Sequence, residues 1–264
     1  MNVDLRRLFD RDPRPDPCEP TEVVHRDDLV LWHRPSATRS PWASGVLHYR
    51  WTEASADRGI DEVLSYFAAR DTSFTWHVPD DGQPSDLGAR LRARGFILEA
   101  QTDMLVADLP IVGLRINPAI DVVDVTDERT LRDSVLVQHP DWDDERRDRL
   151  LRERRAYLGC AGHLRHFALA YLDGRPIASA RWRFSTPFRA IGLSGAETLP
   201  AYQNRGAYST LVDYRARIAL ARGCQYATIL ADVRTSAPIL RKRGFASVGT
   251  AEIYVWPETR SSSS

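Results

Sequence analysis

Lysine is almost missing from this chain: Lys242 is the only one among 36 basic residues, so arginine carries nearly all of the positive charge. A GC-rich coding sequence is the simplest origin of that bias, and it points to no function. Net charge is missing too, since 36 acidic residues balance the basic ones, which argues against a nucleic-acid surface. Cysteine is scarce. Cys18, Cys160 and Cys224 are odd in number, far apart and without a C-x-x-C pair. Neither a zinc site nor a disulfide framework is therefore expected, and a reducing compartment is. His163 and His166 have no third ligand at metal spacing, so no metal is expected. No run approaches the ~20 apolar residues that span a bilayer, and no signal-like segment opens the chain. These absences lead to the expectation of a cytoplasmic protein without a membrane or nucleic-acid partner, a monomer or homodimer.

What is present is enough chain, 264 residues, for one large or two small domains. Residues 11–20 are a proline-rich lead-in, and the closing run of serines reads as a frayed tail. Residues 108–118, with two prolines and a glycine, are the best linker. Beyond it the patterns predict a strand over 120–125, helices over 128–138 and 144–157, and strands over 167–172 and 177–184. The last two flank Asp173-Gly174-Arg175-Pro176, a hairpin signal. A strand over 190–199, a helix to 222, a buried strand over 226–231 and a short helix over 237–242 follow. Gly244 suits a helix C-cap, and a strand pair is expected within 246–256. Between the 190–199 strand and its helix lies Gln203-x-x-Gly206-x-Tyr208. Glycine there lets the backbone bend so that several N–H groups converge on one spot beside the helix's positive end, a seat for phosphate or pyrophosphate. Arg205 adds charge beside it.

That element order, and two motifs, resemble the GNAT N-acetyltransferase superfamily. Thr198-Leu-Pro200-Ala-Tyr202-Gln203-Asn-Arg205-Gly206-Ala-Tyr208 is similar to the family's V-x-P-x-x-[QR]-x-x-G-x-[GA] acetyl-CoA loop. Ser236-Ala-Pro238-Ile-Leu240-Arg-Lys-Arg-Gly244-Phe245 is similar to its second signature, with Gly206 and Gly244 38 residues apart. The resemblance covers residues 115–257 and implies an α/β (mixed α+β) sheet of the acyl-CoA N-acyltransferase fold, with acetyl-CoA as co-substrate. Two positions depart from the pattern. Tyr208 replaces a small residue, and Leu240 stands where many members carry a tyrosine that protonates the departing thiolate.

The first half echoes the second. Leu91-Arg-Ala-Arg-Gly95-Phe96 matches Leu240-Arg-Lys-Arg-Gly244-Phe245 at an offset of 149, and Arg58-Gly59 matches Arg205-Gly206 at 147. Two matches in the same order suggest a tandem duplication. In place of Gln203, Asn204 and Tyr208 the first copy has Ala56, Asp57 and Asp61, with Glu62 alongside. Carboxylates at a helix start would compete for the N–H groups that hold phosphate. The expected organisation is a degenerate GNAT-like domain at 1–110, a linker at 111–118, a GNAT acetyltransferase domain at 119–258 and a disordered tail at 259–264.

The resemblance implies transfer of an acetyl group to a primary amine of a small molecule, by direct attack in a ternary complex. An amine with a pKa near ~10 must lose a proton first. Glu197, at the strand end, is the candidate base, with a solvated carboxylate as its plain alternative. Tyr254 and Tyr202 are candidate proton donors or packing residues. Backbone groups of Thr198 and Leu199 would bind the pantetheine arm, and the loop of Gln203, Asn204, Arg205, Gly206, Ala207, Tyr208 and Ser209 the pyrophosphate. Four carboxylates around Trp142 (Asp141, Asp143, Asp144 and Glu145) would attract a cationic acceptor, with Trp142 and Asp143 touching it, or would merely cap the next helix. Cys224 reads as core. Two alternatives remain: an inactive acyl-CoA-binding module, suggested by Leu240, and an amide-forming synthase of tandem build.

Overall fold

Alternating apolar positions and turn residues assemble into one eleven-stranded mixed sheet in the computed structural model, which describes residues 4–9, 16–19, 21–35, 40–185 and 188–257. Most of the expected lead-in and the expected disordered tail fall outside the described residues. The first half runs β1 (Glu22–His25), β2 (Leu29–His33), β3 (Ser44–Tyr49), α1 (Glu53–Ala68), β4 (Phe74–Pro79), α2 (Leu87–Ala93) and β5 (Ile97–Asp108). The second runs β6 (Ile120–Asp124), α3 (Glu128–Gln138), α4 (Asp144–Arg154), β7 (Arg165–Leu172), β8 (Arg175–Ser185), β9 (Ala190–Thr198), α5 (Ala207–Ala221), β10 (Tyr226–Asp232), α6 (Ser236–Arg241) and β11 (Ala246–Trp256).

Local chemistry accounts for the boundaries. Asp127 and Thr130 cap α3 reciprocally, as Thr52 and Ser55 cap α1, so helix N–H groups that lack partners within the helix gain them from side chains. On α1 the buried residues Ala56, Gly59, Ile60, Val63 and Phe67 recur at helical spacing and form one apolar stripe. Asp173 and Gly174 both take positive φ, 51° and 72°, the two-residue turn that matches the twist of a hairpin. The turn is tighter than the four residues expected, and Arg175 and Pro176 already belong to β8.

The spatial order is β1-β2-β3-β4-β11-β5-β10-β9-β8-β7-β6. Each half thus lends its last strand to the other: β11 pairs with β4, β5 pairs with β10, and the two exchanged strands pair with each other. The cores follow the exchange. Tyr254 of β11 packs with Trp76, Phe67 and Leu91 of the first half, while Leu105 and Ala107 of β5 pack with Ile191, Leu211 and Phe245 of the second. Asp103 of β5, wholly buried, pairs with Arg241 of α6. In both halves a short helix ends in the same way. The Phe96 N–H donates to the Leu91 carbonyl at 3.1 Å, and the Phe245 N–H to the Leu240 carbonyl at 3.2 Å, behind Gly95 and Gly244 at φ 99° and 85°.

Several expectations are corrected. The strand pair expected within 246–256 is one continuous strand, because its partner is β5 from the other half. The helix expected over 144–157 ends at Arg154 and passes into a 3-10 turn, Arg155–Tyr157. Gly59 lies inside α1, not at its start, so its match to Gly206 is one of letters only. A Cβ there would meet the Trp51 ring at 2.4 Å. Asp57 and Asp61 are therefore not at a helix start either; they pair with Arg90 and Arg94 on the surface. Finally, Cys18 and Cys160 are joined in a disulfide although 142 residues separate them. Distance along the chain said nothing about distance across the fold, and the argument for a reducing compartment falls with it. Cys224 is free and buried, as expected.

A cross-link closing so long a loop chiefly restricts the unfolded chain, typically by about 2–4 kcal/mol. Urea unfolding with reductant should show a loss of that order, and Cys160→Ser should show the same loss and no further response to reductant. An unchanged midpoint would exclude the bond.

Candidate active site

The site begins with one residue too many in β9. Arg181 of β8 faces Ser194, but Ser179 faces Glu197, so three steps along β9 oppose two along β8, a bulge that bends the strand. Gly195 sits in it at φ 51°. A side chain there would be strained in backbone and would meet the Arg181 guanidinium at 2.4 Å. β9 pairs in parallel with β10 only as far as Leu193 and Ile229. Beyond that point β10 stays with β5 through Asp232, and β9 stays with β8 through Thr198. A cleft therefore opens between β9 and β10.

Leu199 donates its N–H to the Ile177 carbonyl at 2.9 Å, so it has none to offer a ligand, contrary to the expectation for it. Strand alternation then turns the backbone groups of Thr198 the other way, into the cleft. The chain next makes the 3-10 turn Pro200–Tyr202 and reaches the loop. Asn204 and Gly206 both take left-handed backbone, φ 61° and 89°, flanking Arg205. This alternation folds successive N–H groups toward one side. Gly206 is the N-cap of α5 and supplies no side chain to the helix end. Among the described residues no acceptor meets the N–H groups of Arg205, Gly206, Ala207, Tyr208 or Ser209; the Thr210 N–H is the first taken, by the Gly206 carbonyl at 3.0 Å. Five unclaimed donors at a helix's positive end suit a pyrophosphate. Gln203 is exposed beside them. Asn117 holds the loop from behind. The Asn117 side-chain amide donates to the Arg205 carbonyl at 2.8 Å, and its N–H to the Thr210 hydroxyl at 3.1 Å. A Cβ on Gly206 would press on Asn117 at 3.2 Å.

Glu197 projects from the bulged end of β9 on the face that carries Arg181. The protein around it raises its carboxyl above the ordinary value, and the Arg181 charge only partly opposes this. A carboxylate so placed takes a proton more readily than a free one. His139, at the end of α3, shares the neighbourhood; burial first, then the charges of Arg154, Arg146 and Arg181, lower it to about 4. Tyr208, at the first turn of α5, has a buried hydroxyl with no hydrogen-bond partner, and burial raises its pKa. Its oversized side chain in the loop motif was the one sequence signal for it. Arg215, wholly buried on the same helix, donates to the Leu211 and Arg181 carbonyls at 2.9 and 3.1 Å.

Three expected site residues are placed elsewhere or otherwise engaged. Tyr254 is buried in the first half's core, bound to Arg92 and Glu252, with burial and the Glu252 carboxylate pushing it up to about 12. β10 and β5 stand between its strand and Glu197. It packs and does not serve the cleft. Trp142 has His139 stacked at 3.7 Å and the Arg146 guanidinium at 4.0 Å, and two groups so close to one ring centre must take opposite faces, leaving neither for a substrate. Asp143 caps α4, accepting the Arg146 N–H at 2.7 Å, while Asp144 and Glu145 pair with Arg147 and Arg149. The charges that lower His139 are those of arginines, Arg154, Arg146 and Arg181.

In the first half the matching parallel pair, β3 with β4, spans only Gly45–Thr75 and Val46–Trp76. Here the rings of Tyr49, Trp51 and Trp76 pack on one another across the strand ends, 5.6–6.0 Å apart. A hollow of about 430 Å³ between Asp108, Arg189, Cys224 and Tyr226 lies at the other end of β10, by the C-terminus of α5. The helix end there is negative and repels phosphate.

Residues 129–245 match the model of the acetyltransferase (GNAT) family. The chain is similar in structure to a GCN5-related N-acetyltransferase from Kribbella flavida, with a TM-score of 0.66, 15% identity and 89% of each chain covered. It is similar to a functionally unknown conserved protein from Staphylococcus epidermidis, with a TM-score of 0.67, 12% identity and coverage of 89% of this chain and 93% of that one. A tandem GNAT protein from the clavulanic acid biosynthesis pathway aligns with a TM-score of 0.57 at 13% identity, over 92% of this chain and 84% of that one. None of the curated proteins matches it. At these identities the structures carry the fold.

His166, stacked on Trp182 at 5.3 Å, is likewise lowered to about 4, chiefly by burial. In the unfolded chain both this ring and His139 titrate near 6.5. Between those values the unfolded state binds more protons, so stability falls as pH drops from about 6.5 toward 4, by about 1–3 kcal/mol for each ring. Urea midpoints at pH 7 and pH 5 measure it, and a His139→Phe/His166→Phe variant should lose distinctly less over that range.

Proposed function

We propose that the chain, whose residues 129–245 match the model of the acetyltransferase (GNAT) family, transfers the acetyl group of acetyl-CoA to a primary amine of a small molecule by direct attack. The observation that carries this reading is the row of unclaimed N–H groups at the start of α5, set beside a cleft between two strands. The loop 203–209 would hold the pyrophosphate, and the Thr198 backbone the pantetheine arm as an added strand does. Glu197 would take the proton from the attacking amine, directly or through water, as the new C–N bond forms and the C–S bond breaks. We also propose that residues 1–110 and 119–258 are two copies joined by 111–118, and that only the second binds the coenzyme. In the first, Thr52 and Ser55 satisfy the helix start and three aromatic rings occupy the corresponding place.

A catalytically silent binder is the second reading, favoured by Leu240, which is buried in the core where many relatives carry the thiolate's proton donor. Acetyl-CoA with an amine library, followed by free-thiol release, separates the two: stabilisation without thiol release for any amine favours the binder.

Gly206→Glu puts a carboxylate among the loop's donors and should abolish stabilisation by acetyl-CoA in thermal unfolding; retained stabilisation would contradict the loop assignment. Glu197→Gln should bind acetyl-CoA normally but lower kcat/KM by about 10²–10⁴-fold. The wild type's acid limb should fall above the ordinary carboxylate range and vanish in this variant.

A further inference from the structure

One buried cation beyond Arg181 has no ion-pair partner among the described residues. Arg154, the last residue of α4, is 8% exposed, and its Nη1 has no hydrogen-bond partner. Its guanidinium lies over the Phe167 ring at 5.2 Å, and it forms no ion pair among the described residues. The charges of Arg181, Arg165 and Arg34 oppose its own, and that of Glu153 favours it. Glu19 is already committed to Arg34 and, at 3.4 Å, to Arg165. Burial and these neighbours depress the Arg154 guanidinium to about 9. Arg181 links the cluster to the cleft by geometry: it faces Phe167, the ring under Arg154, across β7 and β8, and its guanidinium lies against Gly195, two residues before Glu197.

A guanidinium withdrawn from water and left unpaired is unfavourable, and replacement by an apolar residue usually removes the penalty. Its planar fork is shaped for carboxylate or phosphate oxygens. We propose that the acceptor is an amine that also bears an anionic group, a carboxylate or a phosphate, and that Arg154, flanked by Arg181, receives this group while the amine reaches Glu197. This rests on the acetyltransferase reading of the cleft, and it reverses the cationic acceptor expected from the acidic loop around Trp142.

The test is thermal unfolding of the full chain with succinate or inorganic phosphate at constant ionic strength, with acetyl-CoA measured separately. A saturable rise in Tm is expected, and Arg154→Met should weaken its half-saturation about tenfold or more while leaving the acetyl-CoA shift intact. A stronger response to succinate assigns a carboxylate acceptor, and to phosphate a phosphorylated one. No saturable rise with either anion, or a rise unchanged in Arg154→Met, overturns the proposal; should that variant not fold, Arg154→Gln serves the same comparison. In turnover with acetyl-CoA, preference for putrescine over 4-aminobutyrate and O-phosphoethanolamine would also overturn it. Loss of the acetyl-CoA shift alone would count against the transferase reading instead.

Discussion

The extra residue in β9 is the constraint from which the candidate site follows. A strand that bulges against one neighbour cannot keep its register with the other, so β9 leaves β10 after Leu193 and follows β8 to Thr198. That single departure creates the cleft, turns the Thr198 backbone into it, brings Glu197 to its rim and delivers the chain to the loop at the right end of α5. Gly195 is required at the bulge because Arg181 fills the space a side chain would need. The same residue therefore links the backbone geometry of the cleft to the charge that faces it.

The exchange of β5 and β11 makes the two halves dependent on one another. Each supplies a strand to the other's core, and the first half has no counterpart, among the described residues, of β6, α3 and α4. Of those elements α3 packs on β8 and β9 and ends at His139, and α4, packed on α3, ends at Arg154. The first half thus keeps the scaffold of the second, with a tyrosine and two tryptophans packed where the second is open.

Sequence reading reached the second half's elements because its signals are local: Asp173-Gly174, the capping pair Asp127 and Thr130, and Gly206 before a helical pattern. It reached the repeat through Gly95-Phe96 and Gly244-Phe245, whose backbone bonds coincide. It failed where partners are distant in sequence. The disulfide of Cys18 with Cys160, the single strand over 246–256 and the place of Tyr254 all depend on which strand lies alongside, and no local pattern records that. The match of Gly59 to Gly206 failed for the converse reason, since two letters carry no information about position within a helix. At the site, the carboxylates around Trp142 were legible as a cluster, but the arginines that pair with Asp144 and Glu145 lie three and four residues on along the same helix. The burial of Arg154 was not legible because it comes in part from Phe167, on a strand.

The central claim is that one cleft, between β9 and β10, takes acetyl-CoA through the backbone of residues 205–209. A crystal structure of the full chain with coenzyme A tests it most directly. The account predicts the pyrophosphate on those N–H groups, with the pantetheine arm beside Thr198 and the sulfur near Glu197. A pyrophosphate at the start of α1, or in the hollow beside Arg189 and Cys224, would contradict it.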